Sequence, residues 1–208
     1  MTRVLLVHGA ATTARVWDLL LPLLPDVDLV VPDRPSSGDL SVELAALAPS
    51  AEGAVVVGVS GGATLGLALA CASSHLAGAV LHEPAVGSLA PGLLDHVVAG
   101  WTAGGVVGFG SALYGPSWEP AMAPADPDAV DRDLAMFRRF EPTALVPGNG
   151  RVLVTVGEDS PPLRHVAAHA LRDRLGTEVR VLPRSGHFVQ HDNPAALAAA
   201  VRSVLDGL

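Results

Sequence analysis

AVVVGVSGGATLGLALACA, residues 54–72, decides how this chain is read. An unbroken apolar run reaches Gly58, the chain turns over Ser60 within Gly58-Val59-Ser60-Gly61-Gly62, and a stretch of small helix-forming residues follows. A buried strand, a sharp turn and a helix meet here, and such a turn lifts a serine hydroxyl above the sheet only if its neighbours are small. Gly58, Gly61, Gly62 and Ala63 supply that smallness. The first N–H groups of the helix point at the turn, so negative charge developing there is stabilised. Two other readings stand beside a nucleophilic Ser60. One is a turn without chemistry. The other is a phosphate-cradling glycine loop, which the serine at the middle glycine position argues against.

Working outward, short β-branched runs occur at 3–7, 27–32, 54–59, 77–82, 151–156 and 178–182, mostly apolar throughout, as strands buried on both faces require. Helical patterns lie between them at 14–24, 42–48, 62–74, 162–175 and 194–205, the last with Pro194 in its first turn. This alternation predicts βαβ units and about six mainly parallel strands with helices on both faces. Residues 85–150 break it, with no strand signal and six of the eight aromatic residues. They are expected to form a small helical lid insertion, with one or two of its aromatic side chains lining a pocket, inside a single domain over residues 1–208.

Composition narrows the function classes. Half of the 208 residues are apolar, enough for a sizeable core. The net charge is −8 with no Lys/Arg cluster, so nucleic acid is not an expected partner. Cys71 is the one cysteine, which leaves no intrachain disulfide or cysteine metal cage and fits a reducing cytoplasm. The opening MTRVLLVHG is too short for a signal-peptide apolar region, and no run of 18 consecutive apolar residues predicts a membrane span.

Three motifs fall in order along the chain. His8-Gly9-Ala10-Ala11 follows the first strand, Gly58-Val59-Ser60-Gly61-Gly62 follows the third, and Ser185-Gly186-His187-Phe188 follows the last. With them the sequence resembles the α/β-hydrolase superfamily over all but the insertion. The resemblance implies an α/β-hydrolase fold, here without the antiparallel hairpin that opens many members. It also implies Ser60 as nucleophile, His187 as general base, and the N–H groups of Ala10 and Gly61 as oxyanion hole. The chemistry asks for such a set, because a serine hydroxyl attacks only when a base takes its proton and the oxyanion needs preset donors.

The orienting acid departs from the common pattern. After the fifth strand the chain reads Gly157-Glu158-Asp159-Ser160-Pro161, with serine where the family's acid usually stands and Asp159 one residue early. Some members carry the acid one strand earlier, and here that position is Glu83 in Leu81-His82-Glu83-Pro84. Glu83 is therefore the favoured orienting carboxylate and Asp159 the alternative, with a loop-structural role for Glu83 as the third reading. Function follows as hydrolysis of an ester, thioester or lactone of a small, largely uncharged substrate, with neither metal nor cofactor. Lyase, cyclase or acyltransferase chemistry on the same residues, or ligand binding without turnover, are the alternatives. His165 and His169, four apart on a helix, read as a surface pair rather than metal ligands. Asp192 or Asn193 reads as a helix cap. Asp33-Arg34-Pro35 resembles a family turn whose job is loop structure near the site.

Overall fold

Valine and leucine fill the central strands because those are covered on both faces, whereas the two edge strands are partly exposed and admit charged residues. In the computed structural model, which describes residues 2–72 and 75–208, β1 (Arg3–Val7), β2 (Asp28–Val30), β3 (Val55–Val59), β4 (Gly78–His82), β5 (Arg151–Gly157) and β6 (Glu178–Leu182) form one sheet. Their order is β2-β1-β3-β4-β5-β6, and all five pairings are parallel. Leu5 lies opposite Val56 and Leu81 opposite Val154, so the most apolar strands sit at the centre. From β1 the chain winds one way to β2 and the other way to β3, and a crevice opens beyond the carboxyl ends of strands at such a reversal.

Helices cover both faces: α1 (Leu40–Ala51), α2 (Gly61–Ala72), α3 (Asp95–Tyr114), α4 (Asp128–Arg138), α5 (Pro162–Leu175), the single turn α6 (Val189–Asp192) and α7 (Pro194–Leu205). Asp39 caps α1 by accepting from the Ser41 and Val42 amides, and Asn193 caps α7 through the Ala196 amide. Helix α2 starts hard against β1, where a Cβ on Gly62 would overlap the Val7 carbonyl. Only glycine permits that approach, and it seats the turn before α2 at the reversal of the sheet.

The sequence expectations need some corrections. Residues 14–24 do not form an α-helix but two 3-10 turns, Ala14–Trp17 and Leu21–Leu23, because Pro22 in the second turn interrupts regular α-helical bonding. Trp17 nonetheless anchors the segment, fully buried. Strand β2 is shorter than predicted, since it lies at the sheet edge and Pro32 has no N–H to donate. The expected end of the 62–74 helix falls on Ser73 and Ser74, outside the described residues.

Between β4 and β5 the insertion carries helices and, among the described residues, no strand. By length and composition the stretch Asp95–Ser117 would suffice to cross a membrane. Its backbone is non-helical at Gly104 and Gly105, however, and the two halves fold back so that Gly108 packs on the Gly100 carbonyl. Each half is far shorter than the ~20 residues a span needs.

Candidate active site

Ser60 leaves β3 with φ +57, a left-handed backbone that costs an ordinary residue about 1–3 kcal/mol. Its neighbours hold it there. The Ser60 amide donates to the His82 carbonyl at 2.9 Å, and the Thr64 amide donates to the Ser60 carbonyl at 3.0 Å. The Thr64 hydroxyl donates to that same carbonyl at 3.1 Å and accepts from the Ala85 amide at 2.8 Å, tying the exits of β3 and β4 together.

Glu83 leaves the neighbouring β4 in the same strained way, with φ +50 and its amide on the Thr155 carbonyl at 3.0 Å. Both oxygens of its buried carboxylate are engaged. Oε1 accepts from the Gly157 amide at 2.9 Å and from the Ser160 hydroxyl, and Oε2 accepts from His187 Nδ1 at 2.6 Å. Ser160 thus serves the Glu83 carboxylate as a hydrogen-bond donor. Asp159 points the other way. It is exposed, and among the described residues its carboxylate holds no hydrogen bond, while its amide binds the Ser185 carbonyl at 2.9 Å. One residue's shift in the turn separates a side chain that reaches Glu83 from one that reaches solvent.

Burial works against charge on Glu83, but the adjacent imidazoles of His82 and His187 and the Arg164 guanidinium outweigh it, and the carboxyl lies well below the usual carboxylate range. An ionised carboxylate only accepts, so His187 carries its proton on Nδ1 and presents a bare Nε2. That Nε2 is buried and has no hydrogen-bond partner among the described residues. Burial first and the Arg164 charge second lower His187 to about 4, against the pull of Glu83, so the imidazole is neutral at pH 7. His82 steadies the loop that carries it: Nε2 donates to the Gly186 carbonyl at 3.1 Å and Nδ1 accepts from the Thr155 hydroxyl at 3.0 Å.

The turn after β1 is braced by Arg34. Its Nε donates to the His8 carbonyl at 3.0 Å and its Nη2 to the Gly9 carbonyl at 3.2 Å, while Nη1 reaches Glu43 at 3.0 Å and Nη2 reaches Asp133 at 2.6 Å. One buried cation thereby joins the turn, α1 and α4 of the insertion. Two side chains following or ending α3 bind the same turn, the Tyr114 hydroxyl on the Ala10 carbonyl at 2.7 Å and Trp118 Nε1 on the Ala11 carbonyl at 2.9 Å. The Tyr114 ring stacks on His187 with centroids 5.6 Å apart. Burial pushes the Tyr114 hydroxyl up to about 12, although the Ser60 and Thr12 hydroxyls beside it pull the other way.

Ser60, Ala10 and Gly61 open into one cavity, with Thr64, Glu83 and Arg164 as its other polar edges. The apolar wall is Leu94, Val97, Phe109, Leu113, Leu134 and Phe137, all from the insertion. About 20 Å³ is left for solvent centres, room for a single water. Phe109 and Phe137 are the two aromatic residues that meet the expectation for the insertion.

Sequence reasoning passed over His82, Tyr114, Asp133 and Arg164. His82 lies in the turn that carries Glu83 and Arg164 just after the turn that carries Asp159, whereas nothing local marked Tyr114 or Asp133. Of the residues given lesser roles, His165 is half-buried and His169 exposed on α5, and no third ligating side chain joins them among the described residues.

Residues 4–200 match the alpha/beta hydrolase family. The chain belongs to that family. No match was found among curated proteins. In fold this alpha/beta hydrolase is similar to a lipase-esterase related protein from Clostridium acetobutylicum, with TM-score 0.77, 15% identity, and 98% of this chain against 94% of that one covered. A thermophilic esterase from Thermogutta terrifontis gives TM-score 0.70 at 19% identity, covering 100% of this chain and 90% of the other. The carboxylesterase CesB from Bacillus subtilis gives 0.70 at 15% identity, covering 100% and 84%.

Proposed function

We propose that this alpha/beta hydrolase cleaves an ester, thioester or lactone through an acyl-Ser60 intermediate. The observation that carries the reading is the Glu83 to His187 contact of 2.6 Å, which leaves Nε2 free to take a proton, on the same strand edge as the strained Ser60 turn. Ser60 Oγ attacks the substrate carbonyl and passes its proton to His187 Nε2, while Glu83 stabilises the imidazolium. The backbone amides of Ala10 and Gly61 receive the oxyanion. Collapse expels the leaving group, which takes the proton from His187, and a water molecule activated in the same way releases the acid. A binding role without turnover drew its force from serine in the usual acid position, and Glu83 at hydrogen-bond distance from His187 favours turnover instead. The six apolar side chains around the cavity support a small acyl group.

The test is p-nitrophenol release from short acyl esters together with labelling by a fluorophosphonate, read by intact mass. Wild type is expected to turn over the esters and gain one adduct, and Ser60→Ala to do neither. Ser60→Ala as active as wild type would end this reading.

A further inference from the structure

Two arginines are buried among the described residues, and they are used very differently. Arg34 spends all three guanidinium nitrogens on four acceptors in hydrogen-bond range, two of them carboxylates at 3.0 and 2.6 Å. Arg164, 4% exposed in the first turn of α5, makes one hydrogen bond among the described residues, from Nη1 to the Glu83 carbonyl at 3.3 Å. Its ion contact, Nε to Glu83 Oε2, is 3.6 Å, beyond hydrogen-bond range. Glu83 has little left to offer, because its oxygens already accept from Gly157, Ser160 and His187. A five-donor fork matched to carboxylate geometry is therefore buried with most of its donors unused. It lines the cavity into which Ser60 opens.

The cavity also identifies which part of a substrate it receives. Ala10 and Gly61 line it and His187 does not. The leaving group must stand at His187 Nε2 to be protonated, so the enclosed space belongs to the acyl group.

We propose that Arg164 binds a carboxylate at the far end of the acyl chain, so that the substrate is a half-ester of a short dicarboxylic acid. The identity of the scissile bond rests on the acyl-Ser60 reading, whereas the carboxylate site does not require turnover. The cavity has room for a single water, so the side chains of the insertion must part to admit the acyl chain, which limits the spacer to a few carbons covered by the apolar wall. This replaces the uncharged substrate expected from the apolar insertion alone. Binding also feeds the chemistry. Arg164 lowers the proton affinity of His187, and a carboxylate paired with Arg164 offsets that charge, leaving His187 a stronger base in the complex.

The experiment compares monomethyl succinate with methyl 4-methylpentanoate, which has the same shape without the charge, by acid release in wild type, Arg164→Gln and Arg164→Lys. Wild type is expected to favour the anionic ester at least tenfold in kcat/KM. Arg164→Gln should lower that ratio at least tenfold, mainly through KM, with Arg164→Lys between them. Taking the ratio removes any common loss from disturbing Glu83. In parallel, monomethyl succinate is titrated calorimetrically into Ser60→Ala and Ser60→Ala/Arg164→Gln. Binding to the first and at least tenfold weaker binding to the second supports the site. Wild-type preference for the neutral ester, an unchanged ratio in Arg164→Gln, or no binding by Ser60→Ala overturns it. If neither ester turns over yet Ser60→Ala binds through Arg164, the carboxylate site stands and the hydrolase reading fails.

Discussion

Glu83→Gln replaces a single heavy atom and should remove nearly all turnover. The amide has the carboxylate's shape but one acceptor and one donor end. The Oε1 position faces two donors, the Gly157 amide and the Ser160 hydroxyl, and the Oε2 position faces one, His187 Nδ1. The amide oxygen therefore settles at Oε1 and the NH2 turns to His187. Nδ1 must then accept, the imidazole proton moves to Nε2, and Nε2 can no longer take a proton from Ser60. Reversing the amide would set NH2 against the buried Gly157 N–H, at about 1–3 kcal/mol for the unsatisfied pair. Losing the negative charge under the imidazolium adds a few kcal/mol more. Together these predict a kcat lower by roughly 10³ to 10⁴, the size seen when other triads lose their acid to the amide. The assay is kcat on a short p-nitrophenyl ester, with circular dichroism to show the fold intact, since the substitution leaves Arg164 without its charged neighbour. Asp159→Asn, altering an exposed carboxylate, should stay within about twofold of wild type, a change of under ~0.5 kcal/mol. A Glu83→Gln enzyme keeping more than a tenth of kcat, or an equal loss in Asp159→Asn, would refute the reasoning.

Ser160→Ala removes one donor from the Glu83 carboxylate and should lower kcat by about 10- to 100-fold, consistent with ~1.5–3 kcal/mol for a hydrogen bond to a charged group; an unchanged kcat would mean that this contact does not hold the acid in place. With His187 lowered to about 4, kcat/KM should remain level as pH falls from 7 to 5 and halve near 4, where an ordinary imidazole would already halve near 6.5. The same shift links to stability. Between 6.5 and about 4 the unfolded chain binds a proton at His187 that the folded one refuses, so stability is complete above 6.5 and falls with pH toward 4. His8, lowered to about 3 by burial and by Arg34, extends the loss further, and urea midpoints across this range would measure both. Arg34→Leu leaves Glu43 and Asp133 buried without their cation and should cost about 3–5 kcal/mol, read as a lower urea midpoint.

The strands were legible because a strand covered on both faces needs an apolar residue at every position, and runs such as 54–59 have few other uses. Ser60, His187 and Glu83 were legible for a related reason, since each directly follows or lies just beyond a strand in a recognisable turn. Asp159 drew attention only because a sequence shows a one-residue offset without showing where the side chain turns. Residues 14–24 misled because their Leu spacing is helical while Pro22 prevents the helix. Other features leave no local mark. Arg34 meets Asp133 across 99 positions and Tyr114 meets Ala10 across 104. Such pairs depend on where the insertion folds back, which periodicity does not encode. His82 stood in a quoted motif, but its partners, Thr155 and Gly186, come from two other segments of the chain.

Ala11, Ser36, Ser60, Glu83 and Arg184 follow β1, β2, β3, β4 and β6 in turn, so every strand but β5 ends near a side chain held where glycine would rest more easily. A random library selected for heat resistance alone would find glycine at the smaller of these residues, such as Ala11 and Ser60, where little side-chain bonding is lost. At Ser60 that gain would delete the proposed nucleophile, whereas at Glu83 glycine would also leave the buried Arg164 without its anion and gain nothing. Thermal selection and functional selection therefore pull in opposite directions along this one rim, and a campaign to harden the protein should leave the rim fixed and search the helices behind it.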